Sequence, residues 1–286
     1  MSPPTLLIVP GSYSPCLAYY DLVKHIQRLH PALPEPLVYD LPSASSGPPL
    51  PPPTLYDDSA YFAEKISQLA DTGTDIVLFA HSYGGAVARE AVKGFSKEER
   101  AKQGKKGGVV KLVYLSAVIP APGQSLHDAC SSLDFSFLRP VEEVSTMLRA
   151  FANGQLPLHH VDTCSPSQGS TDYFQQSIRN SAPKCFNDLP QAEAVKWAAR
   201  MTVHTGISFT NPVTELSDYD KAIPSTFIYL ARDLILPPDF QKARIELLKS
   251  QSGADKVQVV EMDTGHCPNV SAPEELAKVL GKIWGA

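Results

Sequence analysis

At residues 75–85 the chain reads DIVLFAHSYGG, and an alanine-rich stretch, 86–92, follows it. The short apolar run 75–80 predicts a buried strand, and 86–92 predicts a helix. Ser82 therefore lies on a sharp turn from strand to helix. Ala80 and Gly84 stand two residues before and after it, where larger side chains would collide with the neighbouring strand and helix. The pattern is typical of a turn that exposes a nucleophilic serine.

The motif has a second interpretation. The usual pattern is G-x-S-x-G, and here Ala80 replaces the first glycine. Ser82 could instead be a helix N-cap, with Gly84 and Gly85 allowing tight packing as in nucleotide-binding turns. The two interpretations are separated by whether the other parts of a nucleophilic site occur downstream in the right order.

A serine hydroxyl needs a general base to act as a nucleophile near neutral pH. His266 is the strongest candidate, because it lies in a short loop before the last predicted helix, where Gly265 and Pro268 shape a turn. His81 adjoins Ser82, and we expect its side chain to point away from the serine. The other histidines fall in predicted helices, linkers or the insertion described below: His25, His30, His127, His159, His160 and His204.

The base in turn needs an acid that fixes its tautomer. Asp233 follows the predicted strand 226–230 and precedes a helix that starts near Pro238, and catalytic groups gather at such strand ends in parallel sheets. The chain order of nucleophile, acid and base is the order expected after a nucleophile elbow. Asp233 could also only cap the following helix, in which case Asp239 or Asp263 are substitutes.

An oxyanion hole requires two backbone N–H groups that face the developing negative charge. We expect one from Tyr83, directly after the nucleophile. The other is expected from Ser12, in the loop after the first strand, where Gly11 permits a close approach of the backbone.

Apolar runs alternate with helical patterns in the first half of the chain and again near its end, which predicts an α/β fold with a mostly parallel sheet of about six strands and flanking helices. Between 120 and 224 the strand rhythm stops, and we predict a helical cap (lid) at 121–223 inserted into a core made of 1–120 and 224–286. A segment rich in Pro, Ser and Gly, 43–53, is predicted to be a loop over the sheet. The predicted strands are 5–9, 36–41, 75–80, 109–115, 226–230 and 257–260.

Composition narrows the function classes. The 286 residues are 43% hydrophobic and carry a net charge of −5, so the chain is globular and lacks the basic surface that nucleic-acid binding requires. The apolar run at 6–9 is too short for a membrane span or an export signal. The five cysteines are an odd number without CxxC spacing, so we expect reduced thiols and a cytoplasmic location. A homodimer is left open.

No cofactor is implied, and no metal-ligand spacing is visible. His159 and His160 with Asp162 are interpreted as a polar surface turn and not as a metal site. The expected partner is therefore a small-molecule substrate of fairly apolar character.

Several segments together resemble the α/β-hydrolase superfamily, and within it the small, capped, esterase-like members of fungi and plants. The resemblance covers nearly the whole chain and implies a serine hydrolase with Ser82, Asp233 and His266 in the three catalytic positions. A fungal secondary metabolite is the substrate class that it suggests. The segments are VPGSY (9–13), VYDLPSAS (38–45), LYDDSAYFAEKI (55–66), LFAHSYGGAVARE (78–90), LVYLSAVIPAPGQSL (112–126), CFNDLP (185–190), YLARDLILPP (229–238) and GHCPNVSAPEELAKVL (265–280).

Besides Ala80, the chain departs from the family pattern at two places, the oxyanion loop and the residues after His266. Pro10 replaces the usual histidine of the oxyanion loop, which keeps the backbone donor but changes the support of the loop. Cys267 and Pro268 follow His266 where hydroxynitrile lyases of this fold place a lysine, which disfavours that activity. The serine nucleophile also disfavours dehalogenase and epoxide hydrolase chemistry, which uses an aspartate.

The sequence thus predicts hydrolysis of a carboxylic ester, lactone or thioester through an acyl-enzyme, with an apolar substrate held under the cap. Two alternatives remain: a lyase or carbon–carbon bond cleavage that uses the same three residues, and a receptor-like module that binds a ligand without turnover.

Overall fold

The computed structural model describes residues 2–45, 51–141 and 173–284. Its central feature is a sheet of six parallel strands in the order β10-β9-β5-β4-β1-β2. The predicted parallel sheet is therefore confirmed. The six strands are β1 (Thr5–Val9), β2 (Leu37–Val38), β4 (Asp75–His81), β5 (Gly108–Leu115), β9 (Ser225–Leu230) and β10 (Val257–Met262).

Helices cover both faces of this sheet. Side chains alternate along β1, so Leu6 and Ile8 pack into one core while Leu7 and Val9 pack into the other. Because both faces are covered, β1 and the middle of β4 are nearly continuous apolar runs that do not alternate with polar residues. The helices are α1 (Tyr20–Leu29), α2 (Leu55–Asp71), α3 (Gly84–Ala91), α4 (Lys97–Lys102), α5 (Leu126–Ala129), α6 (Ile178–Cys185), α7 (Gln191–Ala198), α8 (Asp218–Lys221), α9 (Pro238–Ser252), α10 (Pro268–Ser271) and α11 (Pro273–Trp284).

The connection between β5 and β9 holds more than the predicted helices. It contains α5 to α8, but also three short strands, β6 (Leu138–Pro140), β7 (Tyr173–Gln176) and β8 (Val203–Thr205). With β3 (Ala44–Ser45) they form an antiparallel sheet in the order β3-β8-β7-β6. The described part of the insertion therefore contains short strands besides the predicted helices, and these strands were not predicted because alternation over so few residues cannot be told from a loop in the sequence.

The parallel sheet sets the position of the site. In such a sheet the carboxyl ends of all strands meet at one edge, so the loops after β1, β4, β5, β9 and β10 converge there. None of the helices in the described ranges has the length and apolar character needed to cross a membrane.

Candidate active site

The turn between β4 and α3 holds Ser82 in a left-handed backbone conformation, with φ of 53°. Such a conformation is strained for a residue other than glycine and persists only where the surroundings enforce it. The enforcing contacts are backbone hydrogen bonds: Ser82 N–H donates to the Leu115 carbonyl (3.1 Å), and the Ser82 carbonyl accepts from Val118 N–H (2.9 Å). The serine is therefore locked onto the end of the neighbouring strand β5.

The small residues around Ser82 are required by packing. A Cβ on Gly84 would lie 2.6 Å from the carbonyl oxygens of Val9 and Pro10. Gly85 is tighter still, because its Cβ would lie 2.5 Å from the Val118 carbonyl oxygen. Ala80 is fully buried in β4, beside Val9 of β1. Tight packing at both glycines was expected in the second interpretation of the motif, and it is found here together with the strained turn at Ser82.

The structure brings the three predicted residues Ser82, His266 and Asp233 together from three separate loops. His266 Nε2 lies 3.1 Å from Ser82 Oγ, and His266 Nδ1 lies 2.7 Å from Asp233 Oδ2. All three side chains are buried. Because the carboxylate can only accept, Nδ1 carries the proton and Nε2 is free to accept from the serine hydroxyl.

Asp233 is held by a full set of donors. Its Oδ1 accepts from the backbone N–H groups of Ile235 (2.7 Å) and Leu236 (2.9 Å), and its Oδ2 accepts from Ser116 Oγ (2.7 Å) as well as from His266. Burial opposes ionisation of Asp233, but the His266 ring and these hydrogen bonds outweigh it and hold the pKa of the carboxyl below its ordinary value. Ser116 was not predicted, since a serine after a strand is an ordinary sequence feature.

The alternative acids are not brought to the site. The side chain of Asp239 is 99% exposed and pairs with Lys242 on α9. Asp263 is 80% exposed and pairs with Arg232. Neither contacts His266 within the described residues.

The His81 ring bonds to groups other than the Ser82 hydroxyl and connects the backbone of His266 to Tyr19. Its Nε2 donates to the His266 carbonyl (2.9 Å), and its Nδ1 accepts from the Tyr19 hydroxyl (2.8 Å). The Tyr19 oxygen accepts in turn from Gly11 N–H (3.0 Å). Burial, together with the nearby His266, lowers the pKa of His81 to about 3, so the ring is neutral.

Ser12 and Tyr83, the two residues expected to supply oxyanion donors, line the cavity onto which Ser82 also opens. In the described part of the chain neither backbone N–H donates to another protein group. A Cβ on Gly11 would lie 3.3 Å from both Ser82 Cβ and His81 Nδ1, so a side chain there would crowd the site.

A second buried polar cluster contacts the side chain of Tyr83, and the sequence analysis assigned no role to its members. Asp58, in the first turn of α2, accepts from Ser43 N–H (2.8 Å), the Ser43 hydroxyl and the Tyr83 hydroxyl (2.7 Å). His204 of β8 contacts the same serine, with Nε2 3.1 Å from Ser43 Oγ. Burial raises the pKa of Asp58 to about 6 against the effect of its hydrogen bonds, and burial lowers the pKa of His204 to about 3.

The cavity above Ser82 has a volume of about 590 Å³. Its described lining contains no Asp, Glu, Lys or Arg. Four aromatic residues expected in the insertion, Phe135, Phe137, Phe174 and Phe209, are among the lining, and Phe151 lies outside the described residues. The other apolar lining residues include Val118, Leu126, Leu133, Leu138, Met201, Ile235 and Leu236, and three thiols, Cys130, Cys185 and Cys267, complete the wall.

His159, His160 and Asp162, which the sequence predicts to be a polar surface turn and not a metal site, lie outside the described ranges. Within those ranges, no group of three or more His, Cys, Asp or Glu side chains is arranged to hold a metal ion.

The buried neutral histidines predict a loss of stability on acidification. Between pH 6.5 and 3 the unfolded chain protonates His81 and His204 while the native protein does not, which destabilises the fold by about 2 kcal/mol per histidine from pH 7 to 5. Asp58 acts oppositely, since its native pKa of about 6 is raised, and offsets about 1 kcal/mol over that range. We expect a net fall of about 2–3 kcal/mol from these groups, measured by urea unfolding at both pH values.

The His204→Asn variant tests this assignment. It is expected to flatten the pH dependence of the unfolding free energy by about 2 kcal/mol, because asparagine does not titrate. A variant with the wild-type pH dependence would show that His204 is not buried in its neutral form.

The fold and the site together define an α/β hydrolase. A model of the alpha/beta hydrolase family matches residues 6–279, and the chain belongs to this family. Among similar sequences are the probable hydrolase R7 of Phoma sp., 29% identical over the whole of both chains, and the alpha/beta hydrolase nvfD of Aspergillus novofumigatus, 26% identical over all of this chain and 98% of that one.

Solved structures show the same fold. The pyrethroid hydrolase PytH superposes with a TM-score of 0.66 over 99% of this chain and 98% of that chain, at 18% sequence identity. At this identity the likeness concerns the fold, and the substrate must be inferred from the site itself.

Proposed function

We propose that this α/β hydrolase is a serine hydrolase that cleaves a carboxylic ester, lactone or thioester through an acyl-enzyme. The observation that carries the proposal is the hydrogen-bonded chain from Ser82 Oγ through His266 to Asp233, which opens onto an apolar cavity. A nucleophile, a base and an acid that orients the base are the parts that acyl transfer requires.

The proposed reaction has two halves. Ser82 Oγ attacks the substrate carbonyl carbon while His266 Nε2 takes the serine proton, and the resulting oxyanion accepts from the N–H groups of Ser12 and Tyr83. The tetrahedral intermediate collapses, and His266 returns the proton to the leaving alcohol or thiol. Water then attacks the acyl-enzyme with His266 as base, which releases the acid and restores the serine.

The segment 121–223 is proposed to be the cap of this enzyme. Support comes from the cavity wall, where Leu126, Phe137, Phe174 and Phe209 face Ser82 and His266 of the core. Closing an active site with apolar side chains excludes water and strengthens the electrostatic interactions inside it.

The cavity favours an uncharged substrate. A charged group placed against this lining would lose its hydration without gaining an ion pair from the described residues. We expect kcat/KM for para-nitrophenyl hexanoate to exceed that for mono-para-nitrophenyl adipate, which differs by a terminal carboxylate, by about 10²-fold or more. Equal values for the two esters would contradict the assignment of a neutral substrate.

The reaction type is tested with the same neutral ester in water enriched in heavy oxygen. A burst of nitrophenol equal to the enzyme concentration, followed by hexanoate carrying one heavy oxygen atom, is expected for an acyl-enzyme hydrolysed by water. Release of nitrophenol without labelled hexanoate would show that water does not complete the reaction, and tight binding of the ester without any product would favour a receptor. Either result would overturn the proposal.

A further inference from the structure

Residues of the insertion form hydrogen bonds to the backbone of Tyr13, in the loop Gly11–Tyr13. This residue has a left-handed backbone with φ of 61°, which is strained for a tyrosine. Its carbonyl accepts from the backbone N–H (2.8 Å) and the hydroxyl (3.1 Å) of Thr202, and its N–H donates to Nδ1 of His204 (3.3 Å). Thr202, which precedes β8, and His204 of β8 therefore bind the carbonyl and the N–H of Tyr13.

The opposite end of the loop is held by the core. Gly11 N–H donates to the Tyr19 hydroxyl, so the peptide unit on each side of the one that carries Ser12 N–H is anchored by a side chain. With both neighbours fixed, and with its own Gly11 carbonyl accepting from Ser14 N–H (3.3 Å), the Gly11–Ser12 peptide unit has little freedom to rotate. Ser12 N–H keeps its direction without a bond of its own.

His204 can accept from Tyr13 N–H only as the neutral tautomer with its proton on Nε2. Nδ1 accepts from Tyr13 N–H, so the proton lies on Nε2, which faces Ser43 Oγ and Ser208 Oγ at 3.1 and 3.0 Å. The ring is fully buried, and burial lowers its pKa to about 3, which keeps Nδ1 unprotonated at neutral pH.

The same cluster reaches the second oxyanion residue. The Ser43 hydroxyl donates to Asp58, and Asp58 also accepts from the Tyr83 hydroxyl. The rings of His204 and Tyr83 pack edge to face, with centroids 4.8 Å apart. A single buried network thus contacts Tyr83 itself and the immediate neighbour of Ser12.

We propose that His204 is a positioning residue of the oxyanion hole, an inference that rests on the proposed acyl-transfer function. It acts through Tyr13 on the direction of Ser12 N–H, and through Ser43 and Asp58 on Tyr83. The insertion therefore has a part in the chemistry besides covering the cavity.

His204→Phe is the main test. Phenylalanine fits the aromatic cluster with Tyr13, Tyr83 and Phe209, but it removes the acceptor for Tyr13 N–H. We expect kcat for para-nitrophenyl hexanoate to fall about 10- to 100-fold with KM little changed, because a misplaced donor is felt mainly in the transition state.

A pair of inhibitors separates positioning from general damage. A heptyl-chain trifluoromethyl ketone forms an oxyanion with Ser82, whereas the matching methyl ketone binds by its apolar chain. His204→Phe should weaken the trifluoromethyl ketone by the same factor as kcat/KM and leave the methyl ketone within about 3-fold. Equal weakening of both ketones would mean that His204 only shapes the cavity, and it would overturn the inference.

The matched variant His204→Asn places an amide oxygen near the position of Nδ1, so it can accept from Tyr13 N–H. We expect it to recover most of the kcat lost in His204→Phe. Wild-type kcat in His204→Phe, with turnover still dependent on Ser82, would refute positioning and leave the hydrolase proposal intact. Absence of any hydrolysis by the wild type would refute the hydrolase proposal itself.

Discussion

The Ser82→Ala variant is expected to hydrolyse para-nitrophenyl hexanoate roughly 10⁵- to 10⁶-fold more slowly than the wild type, because no other group can form the acyl intermediate. The residual rate would come from the oxyanion donors and from binding alone. Alanine lacks only the hydroxyl, and the backbone bonds of residue 82 to Leu115 and Val118 do not depend on that hydroxyl. The fold should therefore be retained, and the fall in kcat should report the loss of the nucleophile and not unfolding.

Intact-mass detection of a fluorophosphonate adduct provides the direct reading of this result. One adduct is expected on the wild type and none on Ser82→Ala. Ser250→Ala, which alters an exposed serine on α9, is the matched control and should retain both the adduct and the rate. Turnover in Ser82→Ala at the wild-type rate would remove the acyl-enzyme mechanism.

The Asp233→Asn variant is expected to lower kcat by about 10⁴-fold, the size of effect that a wrong histidine tautomer produces in enzymes with a known Ser-His-Asp triad. Asparagine can keep its oxygen on the N–H groups of Ile235 and Leu236, so the loop geometry is retained. Its amide nitrogen then donates to His266 Nδ1, which forces the proton onto Nε2. The base can no longer accept from Ser82.

Asp239 and Asp263, the two alternative acids of the sequence analysis, provide controls for this variant. Asp239→Asn and Asp263→Asn alter exposed carboxylates that contact lysine or arginine and not His266, and both should leave kcat within about 3-fold, as for most surface substitutions. If Asp263→Asn lost activity while Asp233→Asn kept the wild-type rate, Asp233 would not be the acid that orients His266.

The local chemistry of the chain explains why much of this site could be anticipated. Ser82 lies in a motif whose small residues are required by close contacts with the adjacent strand. Gly265 and Pro268 indicate the loop that carries His266. These requirements act over a few residues, so they leave a pattern that can be recognised. The alternation of apolar runs likewise predicted the six-stranded sheet, because burial on both faces demands it.

The supporting groups left no such pattern. Ser116, Ser43 and Asp58 lie within segments that resemble the α/β-hydrolase superfamily, but they are ordinary polar residues there, and no role was predicted for any of them. His204 was placed among the histidines of the insertion, yet it bonds to a backbone group 191 positions away. The short strands β6 to β8 were missed for a related reason, since their pairing partners are remote and each is too brief to show a period.

The sequence by itself determined the sheet, the turn at Ser82 and the order of the three reactive side chains. Steric limits at the turn and burial of the strands restrict which residues can stand next to one another, so these features are visible in short stretches of sequence. Only the tertiary structure decided which polar groups surround them: the Ser116 bond to Asp233, the Tyr19–His81 link to the base, and the cluster of Asp58, Ser43 and His204 under the oxyanion loop. A buried polar group gains its role from the partner that satisfies it, and that partner is chosen by the fold and not by the adjacent sequence.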